Sequence, residues 1–368
     1  MTEPLPKLTR IPPEIVAVGD YEAAALARLD PAAAAYLQGG AGDESTLCHN
    51  LAGYRRLFLK NRVLRDMTGG GTGLSLFGQD FAFPVLLAPV AYQRLFHPEG
   101  EVASARAAAA MQTGMVVSTQ ASIDLDEIAR AAPGPLWFQL YIQPDRSFTR
   151  RLVARAEAAG YSALVVTVDA PVSGLRNREQ RAGFALPPGI EAVNLTGMAP
   201  APAHRARAGE PLLFGSPILA SAPTWDDLAR LKSWTRLPVL AKGITTAEDA
   251  EQALAAGIDG IILSNHGGRV LDSQPATIDL LPGLSAAIAG RVPLLIDGGI
   301  RRGTDIVKAL ALGADAVLIG RPYVHGLAAA GAAGVAHVLN ILRAELETAM
   351  VLTGCRDLRA IGPALLHP

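Results

Sequence analysis

The segment SNHGGR, residues 264–269, sets His266 and Arg269 three positions apart in a glycine-containing turn. A neutral imidazole can take a proton from a hydroxyl, and a guanidinium can grip a carboxylate through two N–H donors. Asp169, which closes the apolar run ALVVTVDA, is the residue type that orients such a histidine and stabilises its protonated form. A second set of residues suits an anion. IDGGIRRGTD places Gly298 and Gly299 directly before a helical pattern, and IGRP places Gly320 and Arg321 after another apolar run. Glycines let backbone N–H groups approach a phosphate, a helix N-terminus favours it, and Arg301 or Arg321 can pair with it. Each motif alone also has an ordinary reading: a helix-capping Asn-His loop for the first, tight turns with rim arginines for the second.

The elements that must position these residues are short apolar runs bounded by Gly, Pro or polar residues. They begin at Pro84, Gly114, Leu136, Ala163, Pro238, Gly260, Pro293 and Ala316. Runs apolar on both faces fit parallel strands covered by helices. Helical patterns such as EVASARAAAAMQTG, DRSFTRRLVARAEAAG, TAEDAEQALAAG and RGTDIVKALALG lie between them. Eight strands alternating with helices predict an α/β fold, a single (β/α)8 TIM barrel. A doubly wound sheet competes, but no GxGxxG fingerprint supports it.

In a barrel the strand ends converge on one face. Here they read Pro89-Val90-Ala91, Ser118-Thr119-Gln120, Gln139 to Tyr141, Thr167 to Asp169, Lys242, Ser264 to His266, Asp297 to Gly299, and Gly320-Arg321. Eight polar or small strand ends together predict a site. The loops after strands seven and eight are where barrels most often hold phosphate.

The predicted domain is single and spans 1–368, with an N-terminal extension over 1–80, barrel strands within 84–322 and C-terminal helices over 323–368. Tyr21 to Leu37 reads as one Ala-rich helix stopping at Gly39-Gly40. The fourth and fifth runs start 75 residues apart, which implies a long insertion after strand four. Its part from Pro187 to Pro217 reads as a mobile loop, either a surface excursion or a lid, and LLFGSPILA within it as a short strand or hairpin. Pro98 reads as the first residue of a helix, with Glu99 and Glu101 at its positive end. His49, His97, His204, His325, His337 and His367 form no spacing pattern and read as structural or surface residues.

Composition narrows the function classes. Of 368 residues, 50% are hydrophobic and 18% charged, which is globular. A formal net charge of −1 argues against a nucleic-acid binder. Cys48 and Cys355 stand far apart with no zinc spacing, so neither a disulfide framework nor a metal is expected. The N-terminus carries no apolar leader and no membrane segment is expected; the reading is a cytoplasmic protein.

LLAPVAYQRLFHPEGE, FQLY, TVDAP, KGI, SNHGGR, DGGIRRG and IGRP occur in the order found in FMN-dependent α-hydroxy acid oxidases and dehydrogenases, and the chain resembles that family from about Tyr21 to Cys355. The resemblance implies FMN in the barrel, with its phosphate on the loops after strands seven and eight. It makes His266 the catalytic base and Asp169 its partner. Arg269 and Arg176 become ligands of the substrate carboxylate, with Tyr36 and Tyr141 hydrogen-bonding the carboxylate or hydroxyl. Lys242 would neighbour the flavin N1 and C2 carbonyl. Pro89, Val90, Ala91, Ser118, Gln139, Thr167 and Ser264 match flavin contacts, and Asp297, Gly299, Arg301, Gly320 and Arg321 match ribityl and phosphate contacts.

The implied reaction oxidises a small or aromatic (S)-2-hydroxy acid to the 2-oxo acid, with O2 as acceptor and hydrogen peroxide as product. Gln120 stands where glycolate oxidases carry Trp, which opens or polarises the pocket beside the substrate side chain. Ala91 matches the small alanine usual in oxidases. The resemblance also implies a homotetramer. The same oxidation with a non-oxygen acceptor is one alternative. Another FMN barrel, type 2 isopentenyl diphosphate isomerase, would need diphosphate and magnesium ligands and leaves Tyr36, Arg176, His266 and Arg269 without a role. A flavin-binding protein without catalysis is the third.

Overall fold

The computed structural model describes residues 4–199 and 206–368. Each apolar run forms a strand of one closed parallel barrel, in sequence order around the ring. The eight strands are Val85–Leu87, Met115–Ser118, Leu136–Leu140, Leu164–Thr167, Val239–Ile244, Gly260–Leu263, Leu294–Ile296 and Ala316–Ile319. Val317 of the eighth pairs with Val85 of the first, which closes the ring.

Alternation along the strands separates two cores. Leu86, Val116, Trp137, Val165, Leu240, Ile262, Leu295 and Leu318 pack together inside the barrel. Their neighbours Val85, Leu87, Val117, Phe138, Val166 and Ile261 belong to the larger core between strands and helices. A hairpin of Leu74–Leu76 and Gln79–Phe81 adds Phe81 and Phe77 to the inner cluster. Trp137 meets both rings edge-on at centroid distances of 6.2 and 5.7 Å, so aromatic side chains plug the end where the strands begin. The opposite end, where the polar strand ends collect, stays open.

The helical patterns between the strands fold as read. Gly100–Ala110, Arg146–Ala158, Ala247–Ala255 and Gly303–Ala311 are helices. Gly160, Gly257 and Gly313, which follow the last three, all take positive φ. The last helix, Arg321–Thr353, begins earlier than the predicted C-terminal region and bends at Ala330 and Gly331, where φ is −145° and +59°. It is long and apolar enough to cross a membrane by composition, yet it packs against Gly100–Ala110, Gly303–Ala311 and the N-terminal helix Asp20–Leu26.

Several local expectations are corrected. The Tyr21–Leu37 helix is two helices, Asp20–Leu26 and Pro31–Gln38. Asp30 caps the second through the N–H groups of Ala32 and Ala33, and Pro31 fits its first turn, so this pair starts a helix rather than continuing one. LLFGSPILA forms turns and a short helix, Pro217–Ala220, where Ser216 caps a proline-led turn. The helix predicted at Pro98 begins at Gly100, and Glu101 is no exposed first-turn charge. Its buried carboxylate accepts from the N–H groups of Gln93 and Ser122, at 3.0 and 2.8 Å, and ties the loops after strands one and two. His204 and part of the 187–217 loop lie outside the described residues.

Candidate active site

The open end of the barrel is a cavity of about 820 Å³. Tyr36, Pro89, Val90, Ala91, Ser118, Gln120, Gln139, Tyr141, Thr167, Arg176, Lys242, His266, Arg269, Asp297, Gly299, Arg301, Gly320 and Arg321 all reach its wall. Residues up to 285 positions apart thus meet because eight parallel strands end on one face. Two predicted residues stand behind the wall. Asp169 supports His266. Ser264 is fully buried, and its hydroxyl accepts from Lys242 Nζ at 2.8 Å and from His266 N at 3.0 Å. Ser264 therefore positions two wall residues instead of lining the wall.

His266 sits in the left-handed region at φ +57°, the first of three positive-φ residues with Gly267 and Gly268. That turn brings its Nδ1 to 2.9 Å from Asp169 Oδ1. Burial acts to raise the Asp169 carboxyl, but the His266 imidazole and the Lys242 ammonium outweigh it and hold the carboxyl below its ordinary value. An ionised carboxylate only accepts hydrogen bonds, so Nδ1 donates and neutral His266 keeps its lone pair on Nε2. Gly243 makes this geometry possible: at φ +111°, a Cβ there would come within 2.6 Å of Asp169 Cγ.

Lys242 and Asp297 form a buried ion pair, Nζ to Oδ2 at 3.0 Å, and Asp297 Oδ1 has no partner. Gln139 crosses three strands: its Oε1 accepts from Ser118 Oγ and Thr119 N, and its Nε2 donates to Thr167 Oγ1. Tyr36 stacks on Phe184 at 4.7 Å and lies under the Arg269 guanidinium at 5.0 Å. Burial raises the phenols of Tyr36 and Tyr141, so both stay protonated donors.

The arginines fall into two groups. Arg301 is partly buried, and its guanidinium donates to the carbonyl of Ile300. Arg321 donates to the carbonyls of Leu37, Gly267 and Gly39. Burial, with Arg269 and Arg301 close by, pushes Arg321 down to about 9, so it remains cationic at neutral pH. Among the described residues neither Arg301 nor Arg321 pairs its guanidinium with a carboxylate, while the turn Gly298-Gly299 takes φ +97° and +86°. A cationic cluster beside a glycine turn and an unpartnered Asp297 oxygen fits the phosphate and polyol of a flavin mononucleotide.

Arg269 and Arg176 form the second group, and they share a residue that reading the sequence passed over. Glu179 lies on the short helix Asn177–Arg181, and its Oε1 is 3.1 Å from Arg269 Nη2 and 2.7 Å from Arg176 Nε. The i, i+3 spacing of Arg176 and Glu179 was the local signal. Asn50 was missed as well: it exchanges amide hydrogen bonds with Asn265 at 2.8 and 2.9 Å and fastens the N-terminal helix Ser45–Arg55 to the SNHGGR loop. The insertion after strand four adds Phe184, Leu186, Leu195, Pro217 and Ile218 to the wall.

A parallel barrel whose open end gathers a carboxylate-supported histidine and a cationic glycine turn defines the class as a flavin-dependent oxidoreductase. Residues 25–368 match the FMN-dependent dehydrogenase family, and the chain belongs to it. An L-lactate oxidase of Nostoc sp. is 48% identical over 95% of this chain and 97% of its own length. Glycolate oxidase of Spinacia oleracea is 42% identical over 95% and 94%. A crystal structure of mandelate oxidase with (S)-2-phenylpropionate superposes with a TM-score of 0.86, at 43% identity over 96% of this chain and 98% of that one.

Proposed function

We propose that the protein oxidises a small or aromatic (S)-2-hydroxy acid to the corresponding 2-oxo acid. O2 is the acceptor and hydrogen peroxide the second product. The observation that carries this reading is the His266–Asp169 pair, with Nε2 free, on the same cavity wall as Arg176, Arg269, Tyr36 and Tyr141. The relatives support it, being oxidases of lactate, glycolate and other 2-hydroxy acids.

Arg269 and Arg176 bind the substrate carboxylate. Arg269 spends Nη1 on the carbonyls of Tyr36 and Gly39, which fixes its plane and leaves Nε and part of Nη2 for the substrate. Tyr36 and Tyr141 donate to the carboxylate or hydroxyl. These contacts hold the 2-hydroxyl at His266 Nε2, which accepts its proton, and Asp169 stabilises the imidazolium that results. Arg301, Arg321, Gly299 and Gly320 would hold the FMN phosphate and Asp297 the ribityl chain. Pro89, Val90, Ala91, Ser118, Gln139, Thr167 and Lys242 would line the part of the cavity that takes the ring, with the Lys242 charge available to it. FMN, when bound, supplies the acceptor for the hydride equivalent and returns the electrons to oxygen.

Anaerobic titration of the holoenzyme with (S)-lactate, glycolate, (S)-mandelate and 4-hydroxymandelate tests this. Bleaching by one of them, reversed rapidly in air with peroxide formed, is expected. A yellow protein that none of them bleaches would overturn the reading, and slow recovery in air would replace oxygen by another acceptor. The family likeness also supports a homotetramer, which light scattering on the purified holoenzyme would test.

A further inference from the structure

Two guanidinium groups and one glutamate meet at the wall of the cavity. Glu179 is 7% exposed; its Oε1 accepts from Arg269 Nη2 at 3.1 Å and lies 2.7 Å from Arg176 Nε, a charge contact without a hydrogen bond. The same glutamate is fixed from behind: its backbone carbonyl accepts from Phe184 N at 3.0 Å, and a side chain at Gly39 would come within 3.7 Å of its Cγ. Nearby carboxylates are otherwise committed, Glu44 to Arg178 and Asp169 to His266. The two arginines together with Glu179 therefore carry one net positive charge.

We propose that Glu179 is the positioning residue and counter-charge of the substrate-carboxylate subsite. It makes the enzyme select 2-hydroxy monocarboxylates over dicarboxylates. This rests on the reading of Arg176 and Arg269 as carboxylate ligands. One net charge matches one carboxylate. A second carboxylate entering the same buried space would meet the negative charge of Glu179, and like charges in a desolvated site repel strongly. The glutamate accepts one proton of Arg269 Nη2 and lies in charge contact with Arg176 Nε, whose N–H makes no hydrogen bond, so the uncommitted rest of each guanidinium is left for a substrate. It touches the guanidinium groups and not the reacting atoms, so its effect on turnover passes through them.

The holoenzyme, Glu179→Gln and Glu179→Asp would be compared with two inert probes, acetate and malonate, by the perturbation of the flavin absorption spectrum. Loss of the charge in Glu179→Gln is expected to tighten malonate relative to acetate by about tenfold or more, equivalent to about 1.4 kcal/mol. Anaerobic reduction is expected to show the same relaxation, with the preference for (S)-lactate over (S)-malate reduced by a similar factor. Glu179→Asp keeps the charge but shortens the reach. It should retain the acetate-to-malonate selectivity while lowering kcat more than it changes KM. Equal shifts for both probes in Glu179→Gln, or no shift, would reduce Glu179 to a structural contact and overturn the proposal. If Glu179→Gln does not fold, loss of selectivity in Glu179→Asp would overturn it instead. Failure of every 2-hydroxy acid to bleach the wild-type flavin would sink the proposed function, yet the two probes would still decide the role of Glu179.

Discussion

His266 and Asp169 lie 97 positions apart, and a 2.9 Å hydrogen bond between Nδ1 and Oδ1 fixes which imidazole nitrogen is free. A base must present its lone pair to the proton it removes, so the direction of this bond matters as much as its presence. His266→Ala should keep bound FMN and slow reduction by substrate by about two to four orders of magnitude. Asp169→Asn should lower it by a comparable factor, because an amide at that position can stabilise the wrong tautomer. Stopped-flow reduction reads both, and reduction at the wild-type rate in either would exclude the assignment.

Arg301 is partly buried, its guanidinium has no carboxylate partner among the described residues, and it belongs to the phosphate end of the cavity. Arg301→Gln removes a charge-assisted contact of about 1.5–3 kcal/mol, so FMN should dissociate about ten- to a hundredfold more readily. Recovery of flavin fluorescence on dilution measures this. An unchanged dissociation constant would move the phosphate elsewhere.

Gly299 stands at φ +86°, where a Cβ would run into the carbonyl oxygen of Asn50 and approach a ring carbon of Tyr54 to 3.1 Å. Gly299→Ala combines left-handed strain with a collision against backbone that cannot yield. It should destabilise the protein by about 2–4 kcal/mol and reduce flavin content. Chemical denaturation together with the flavin-to-protein absorbance ratio would show both effects, and a wild-type denaturation midpoint would contradict the packing.

His325 is buried behind the phosphate loops, and its Nε2 has no partner. Burial first, then Arg301 and Arg321, holds it down to about 3 from 6.5. The sign follows from linkage. The unfolded chain takes up this proton below about pH 6.5 while the folded chain does not, so stability is full above that pH and falls as acid is added. By pH 5 the loss amounts to about 2 kcal/mol. In His325→Phe the fall between pH 7 and 5 should be shallower by that amount in apoprotein denaturation midpoints. Parallel pH profiles for the two proteins would show that this histidine does not report on folding.

The barrel and the membership of its open end were legible because the signal is local and repeats. Each strand is a short apolar run, and its last residues turn polar where the runs converge. Asp30-Pro31 carried a helix start in plain view, but the alanines on either side masked it. Glu101 read as a helix-dipole charge because its partners, Gln93 and Ser122, belong to loops that only the closed barrel makes adjacent. Ser264 was placed on the right strand end, but which of its two faces looks inward depends on the turn at His266. Glu179 had its local pair with Arg176, whereas its bond to Arg269 spans 90 positions and carries no periodicity.

The N-terminal segment from Pro31 to Arg55 gives the cavity Tyr36 and gives carbonyl oxygens to Arg269 and Arg321. It also sets Asn50 against the SNHGGR loop. Leu37 and Arg321 are 284 positions apart. During synthesis, the part of the chain that leaves the ribosome first must therefore wait until the last barrel strand has been made before its docking is complete. Until then the nascent protein can hold most of its barrel without a working centre.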